Sequence, residues 1–167
     1  MHHLRMAAWG LAVWMGIVAA ACAEDAAVLR ARKTVKMLDD VYKTAVVLIT
    51  DKYVEDEDDF PAGAAAVAWF KSISEKGWHT VRLIDATGEP YDPDNVAKDD
   101  FEKGAIARLK AGSDFVDEVE QDGEKRYLRA ATPVPVVLQK CVMCHEHYAD
   151  AKPGEAIGAV TYRVPIE

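Results

Sequence analysis

With 167 residues, half of them hydrophobic, the chain can build one domain with a real core but not two generous ones. That composition excludes a disordered protein. A formal net charge of −8 argues against nucleic acid as a partner, since a phosphate backbone repels it, and suits a basic docking partner.

Residues 1–6 carry Arg5 and two histidines, residues 7–20 (AAWGLAVWMGIVAA) are almost wholly apolar, and Ala21, Cys22 and Ala23 are small. This is the three-part layout of a secretory signal peptide, and its apolar run is shorter than a membrane-spanning helix needs. Cleavage is predicted after Ala23, where small residues occupy both positions a signal peptidase reads. Cleavage after Ala21, leaving Cys22 as a lipid-modified N-terminus, fits less well, because Ala19 stands where lipoprotein signals usually place Leu. The mature chain, 24–167, then holds two cysteines, and 19 Lys and Arg against 28 Asp and Glu give it a formal charge of −9. A periplasmic or otherwise exported location is expected.

Residues 24–54 read as one long helix, with Leu38, Val41, Tyr42, Ala45, Leu48, Ile49 and Tyr53 at spacings of three and four on one apolar face. The acidic run 55–59 ends it, and Phe60-Pro61 marks a connection. A second helix is predicted over 62–76, packed by Ala64, Val67, Ala68 and Phe70 and stopped by Gly77. Residues 78–84 have strand composition, and the stretch from Thr87 to Asn95 is rich in turn formers. Asp99 or Asp100 can cap a helix over 100–111, with Phe101, Ala105, Ile106 and Leu109 inward. Two strands, 114–120 and 125–132, flank the hairpin signal Gln121-Asp122-Gly123-Glu124. Pro133 and Pro135 follow, and residues 156–164 alternate as a closing strand. The element order predicts an α+β domain, an antiparallel sheet with helices on one side. Its expected parts are a signal peptide (1–23), a long N-terminal helix with an acidic loop (24–62) and the sheet domain (63–167).

Between the prolines and the last strand lies Cys141-Val142-Met143-Cys144-His145. Two thiols at this spacing reach the two vinyl groups of one porphyrin and form thioethers; the histidine after the second is held under the iron as an axial ligand. Cys141 and Cys144 are therefore the predicted attachment points of one covalent haem c, and His145 its iron ligand. A zinc site would need two more ligands, for which only His147 and His79 offer themselves. A redox dithiol belongs early in a βαβ unit, and a plain disulfide gives no reason for His145. Only one strand follows the motif, so the haem peptide belongs to the sheet domain.

The chain also resembles a family of single-haem c-type domains with a PAS-like fold, found as exported proteins of cyanobacteria and other bacteria and as sensory modules of receptors. The resemblance runs over about residues 64–166. It rests on the Ala-rich helix 64–73, the strand Val81-Arg82-Leu83, and a loop with Pro90 and Asn95 before Phe101-Glu102. Arg129 and Pro133 then precede the CxxCH motif, and Ile157-Gly158-Ala159-Val160 follows it. The resemblance implies a PAS-like antiparallel sheet of about five strands with the haem packed against it and the N-terminal helices. Some members ligate the far side of the iron with a cysteine near the end of the Ala-rich helix. This chain has none there; Phe70 stands near that place, so His–thiolate ligation does not carry over.

For the second axial position the candidates are Met37 and His79, with an open or water-occupied site lined by Phe70 and Trp69 as the leading reading. Met143 and His147 are tied to the proximal side. Arg82 and Arg129 are candidates for pairing with haem propionates, or for surface salt bridges. One-electron transfer to a soluble or membrane redox partner with a basic docking face is the expected function. The alternative is a sensor whose open iron takes a small diatomic ligand and which acts through a separate partner. No residue announces the distal acid–base group an enzyme would need.

Overall fold

The computed structural model describes residues 25–56 and 60–167. The predicted signal peptide, with Cys22, lies outside them. Among the described residues no helix is long and apolar enough to cross a membrane.

Helix α1 spans Ala26–Tyr53. It starts where the Asp25 carboxylate accepts the Ala27 N–H at 2.9 Å, satisfying one of the N–H groups a helix start leaves unpaired. Its buried face is Val28, Ala31, Val35 and Tyr42, joined by Leu38 and Val46. The predicted apolar face is split by this arrangement: Leu38 and Tyr42 turn inward, whereas Val41, Leu48, Ile49 and Tyr53 are exposed. Spacings of three and four also link residues on neighbouring stripes, and this helix carries apolar side chains on two of them.

Helix α2, Ala62–Ser74, buries Ala66 and Phe70. Gly77 follows it at φ +82°, a conformation that favours glycine, so the predicted stop is where the chain turns. Strand β1 is Thr80–Asp85. It begins two residues later than predicted, leaving Trp78 exposed. Helix α3 runs over Asp100–Lys110, capped by Asp99, whose carboxylate accepts the Glu102 N–H at 2.9 Å. Strands β2 (Val116–Asp122) and β3 (Lys125–Val134) form the predicted hairpin. The short helix α4, Lys140–Cys144, and a 3₁₀ turn, Glu146–Asp150, lead to strand β4, Gly158–Pro165.

The fold is α+β, with an antiparallel sheet in the order β1-β4-β3-β2. The sheet has four strands among the described residues, where the family resemblance implied about five. The residues between β1 and α3 supply no further strand: Pro90 and Pro93 lack the N–H a ladder needs, and the stretch runs as turns.

Alternation along the strands gives the sheet two different faces. On the inner face Val81, Leu128, Ala130, Val160, Tyr162 and Val164 join α1 and α2 in the main core. On the outer face Ile84, Val116, Ala131 and Ala159 pack under Ala105 and Leu109 of α3. Each fully buried aliphatic side chain contributes roughly 1.5–3 kcal/mol to holding these layers together.

Candidate haem site

A cavity of about 660 Å³ opens between α1, α2 and the inner face of the sheet, within the usual range for small-molecule and cofactor sites. Val46 and Val47 of α1, Val67 and Phe70 of α2, Leu83 of β1 and Val160 of β4 give it apolar walls. Cys141, Cys144 and His145 all line it.

The local backbone explains how the three converge. Pro133 and Pro135 carry the chain off the end of β3, and α4 then places Cys141 and Cys144 three residues apart on one helical face. The helix breaks at His145, whose φ of −133° and ψ of 76° turn the chain. Both thiols are free. The plain disulfide therefore finds no support in the geometry, and both sulfurs are available for bond formation.

The His145 ring stacks on Tyr148, with centroids 4.5 Å apart and 18° between planes, and meets the edge of Tyr91 at 5.7 Å. Burial lowers the His145 pKa, the neighbouring His147 lowers it further, and Asp85 opposes both. The neutral imidazole so favoured is the form that ligates a metal. Burial first, then Asp85 and Cys141, push the Tyr148 hydroxyl up to about 12, so this stacking partner stays neutral. His147 approaches Glu89 at 3.9 Å instead, and its Nε2 is buried without a hydrogen-bond partner among the described residues. It is not part of the cavity wall.

A family model described as Tll0287-like matches residues 20–165. The chain belongs to the Tll0287-like family. Among solved structures it is similar to that of the cyanobacterial heme-protein Tll0287, with 14% sequence identity and a TM-score of 0.52 over 86% of this chain and 97% of that one. At that identity the likeness speaks for the fold. No curated protein matches the chain.

The donor set of this Tll0287-like chain fits a covalently attached planar macrocycle: two free thiols and a desolvated imidazole face one apolar cavity. It does not suit zinc, because among the described residues no three His, Cys, Asp or Glu side chains gather to hold an ion.

The far wall departs from the candidates read in the sequence. Met37 is 58% exposed on the opposite stripe of α1. His79 is hydrogen bonded to the Tyr42 hydroxyl at 2.8 Å and does not reach the cavity. Phe70 does line it, but Trp69 packs edge-on against Tyr42 at 5.0 Å, outside the lining. Met37 lies on the exposed stripe of α1, Trp69 is one residue round α2 from Phe70, and His79, though of the same parity as Val81 and Leu83, precedes β1, whose cavity-lining residues begin only at Leu83.

Arg82 and Arg129 lie on the sheet's other face. Arg82 donates to both oxygens of Glu102 at 2.6 Å, and Arg129 pairs with Asp99 at 2.8 Å. Neither lines the cavity, so the propionate role falls away and the salt-bridge reading stands. The cations that do line it are Lys43, Lys71 and Lys140. Lys43 spends its ammonium on Asp39 (3.0 Å), Thr132 (2.9 Å) and the Pro133 carbonyl (2.8 Å). Lys140 donates to the Asp51 and Val54 carbonyls at the end of α1, at 2.9 and 2.6 Å, which leaves it one N–H. Lys71 is exposed. The sequence reading passed over these lysines, since each sits in an ordinary amphipathic pattern and only the packing of α1, α2 and α4 brings them together.

Proposed function

We propose that this protein is an exported, single-haem c-type protein that exchanges one electron with a partner. The observation that carries the reading is the opening of Cys141, Cys144 and His145 together into one apolar cavity of sufficient volume. Cys141 and Cys144 would supply the two thioether sulfurs and His145 the proximal imidazole. Lys71, and the remaining N–H of Lys140, would pair with carboxylates at the cavity mouth. A haem held this way supplies a one-electron Fe(III)/Fe(II) couple.

The chain's own part is to exclude water and fix that couple. Phe70, Leu83 and Val160 keep the interior dry. Tyr148 stacks on the imidazole and fixes its orientation. The cavity mouth is open beside the exposed Tyr91 and Val137, so a partner could approach the edge of the bound group. A mature charge of −9 favours a basic docking face on that partner. Helices and cavity on one side of an antiparallel sheet are consistent with a PAS-like reading of the fold. Residues 1–23 are read as the export signal, which agrees with the exported setting in which haem c is attached.

A second reading is small-ligand sensing, favoured by the far wall. Among the described residues no methionine, no further cysteine and no histidine besides His145 lines the cavity. An open sixth position binds diatomic molecules.

Two measurements test these readings. Haem colour should stay with the protein after acid-acetone extraction; a colourless precipitate would overturn covalent attachment. Optical spectra of the ferric and ferrous forms, with and without carbon monoxide, then divide the roles. A low-spin ferrous form indifferent to carbon monoxide supports electron transfer, and a high-spin form that binds it supports sensing.

A further inference from the structure

Behind one wall of the cavity lies an ion pair that attachment of a macrocycle does not require. Asp39 and Lys43 stand one helical turn apart on α1. The Asp39 carboxylate accepts from the Thr132 hydroxyl at 2.6 Å, the Tyr162 hydroxyl at 2.8 Å and the Lys43 ammonium at 3.0 Å. Thr132 and Tyr162 are both buried, so the pair is rooted in the main core. Lys43 also donates to the Thr132 hydroxyl at 2.9 Å and the Pro133 carbonyl at 2.8 Å. All three of its N–H bonds are engaged, and none is left for the carboxylates of a bound group. Holding α1 to the sheet does not explain the two charges. Taking them out of water is costly, and Val35 and Tyr42 already join that helix to the sheet through apolar contacts.

The two charges differ in which of them meets the cavity. Lys43 lines it, whereas Asp39, Thr132 and Tyr162 do not. The wall around Lys43 is apolar. Val46 and Val47 follow on the same helix, and Val134 and Val160 (the cross-strand partner of Thr132) come from the sheet. The pair is thus a fixed dipole with its positive end toward the cavity and its negative end behind. Burial pulls the Lys43 pKa down, while Asp39 and then Asp40 oppose it and support the cation. Against apolar walls a charge is screened far less than in water.

We propose that Lys43 sets the reduction potential of the group bound in this cavity: its fixed ammonium favours the added electron of the ferrous form, and Asp39 behind it tempers the effect. This rests on the haem reading. Lys43 acts through space and needs no contact with the iron, unlike a ligand or a propionate partner. A mere bridge between α1 and β3 would leave the potential unmoved by the sign of the charge.

The test is a potentiometric titration of the haem-loaded, natively processed chain, with optical spectra recorded at each step. Lys43→Gln and Lys43→Met should each shift the Fe(III)/Fe(II) equilibrium about tenfold toward the ferric form, ~59 mV for one electron. Lys43→Arg, whose charge burial does not remove, should keep the potential near that of the wild type. Adding Asp39→Asn to Lys43→Arg should shift the equilibrium several-fold the other way, because only the opposing charge is lost. Loosened packing cannot produce that rise, since water admitted to the cavity stabilises the more highly charged ferric form. Equal potentials for the wild type, Lys43→Gln and Lys43→Met overturn the proposal and leave covalent haem standing. So does a Lys43→Arg chain whose potential falls with theirs, or a lowered potential when Asp39→Asn is added. A wild type without covalent haem overturns the haem reading, and this proposal with it.

Discussion

The two faces of the sheet are built from alternate residues of the same four strands, yet they solve opposite problems. The inner face surrounds an apolar cavity lined by two thiols, both free among the described residues, and an imidazole. The outer face, where α3 stops covering it, holds a small polar cavity of about 290 Å³ lined by Arg82, Arg129, Arg163, Asp99, Glu102 and Glu120. There the charges answer one another. Arg163 reaches Glu120 at 3.0 Å and Asp122 at 2.8 Å, and the Arg129 guanidinium carbon lies 4.5 Å from the centre of the Phe101 ring. Apart from the Arg129 Nε, which is buried without a hydrogen-bond partner among the described residues, the outer face pairs its charges, whereas the inner face presents two free thiols and an imidazole to one cavity; that is why the inner cavity is the functional candidate.

The largest effect should come from the inner face. Replacing both Cys141 and Cys144 by Ala should remove all haem colour from the protein fraction after acid-acetone extraction, while circular dichroism still reports the α+β fold. Persisting covalent haem would mean that other side chains hold it. On the outer face the largest effect should be on stability. Glu102 is 2% exposed and accepts from Arg82, the Lys98 N–H (2.8 Å) and the Thr161 hydroxyl (3.2 Å). Glu102→Ala leaves Arg82, about a third exposed, with only the Asp94 and Val96 carbonyls, strips the Lys98 N–H and Thr161 hydroxyl of their acceptor, and should cost about 2 kcal/mol in urea unfolding. Haem attachment should be unaffected, and a colourless variant of normal stability would blur the division between the faces.

Much of this contrast was legible in the chain, and for definite reasons. The CxxCH spacing is chemistry written in consecutive residues, so it needs no tertiary information. Gly77, Asp99 and the 121–124 turn act through their own backbone neighbours, and each element they bound was found. The four strands read from the residues are the four in the sheet; the fifth came only from the resemblance. What could not be read was orientation about an axis. α1 is apolar on two stripes, and periodicity alone does not choose the one that meets the sheet. Orientation about α1 removes Met37 as an iron ligand, and position along the chain removes His79, which precedes β1 and lies beyond the cavity's edge. Arg82 and Arg129 were sound candidates for propionates until strand alternation set them on the far face.

Those two discarded ligands supply the smaller predictions. Met37→Leu and His79→Gln should leave the ferric and ferrous spectra unchanged, because neither side chain lines the cavity; a shift of the Soret band in either variant would return it to the iron. His79 should instead reveal itself through pH. Burial lowers its pKa from the ordinary value of 6.5, and its Nε2 is engaged by Tyr42. The unfolded chain therefore binds a proton at this site more readily than the folded one. Stability from this group is fully present above about pH 6.5 and is lost as pH falls through that value toward the lower folded pKa. Thermal unfolding followed from pH 7.5 down to pH 5 should show a decline that His79→Gln makes shallower. An unaltered slope would place the acid sensitivity elsewhere and show that the Tyr42–His79 contact is too loose to hold the imidazole neutral.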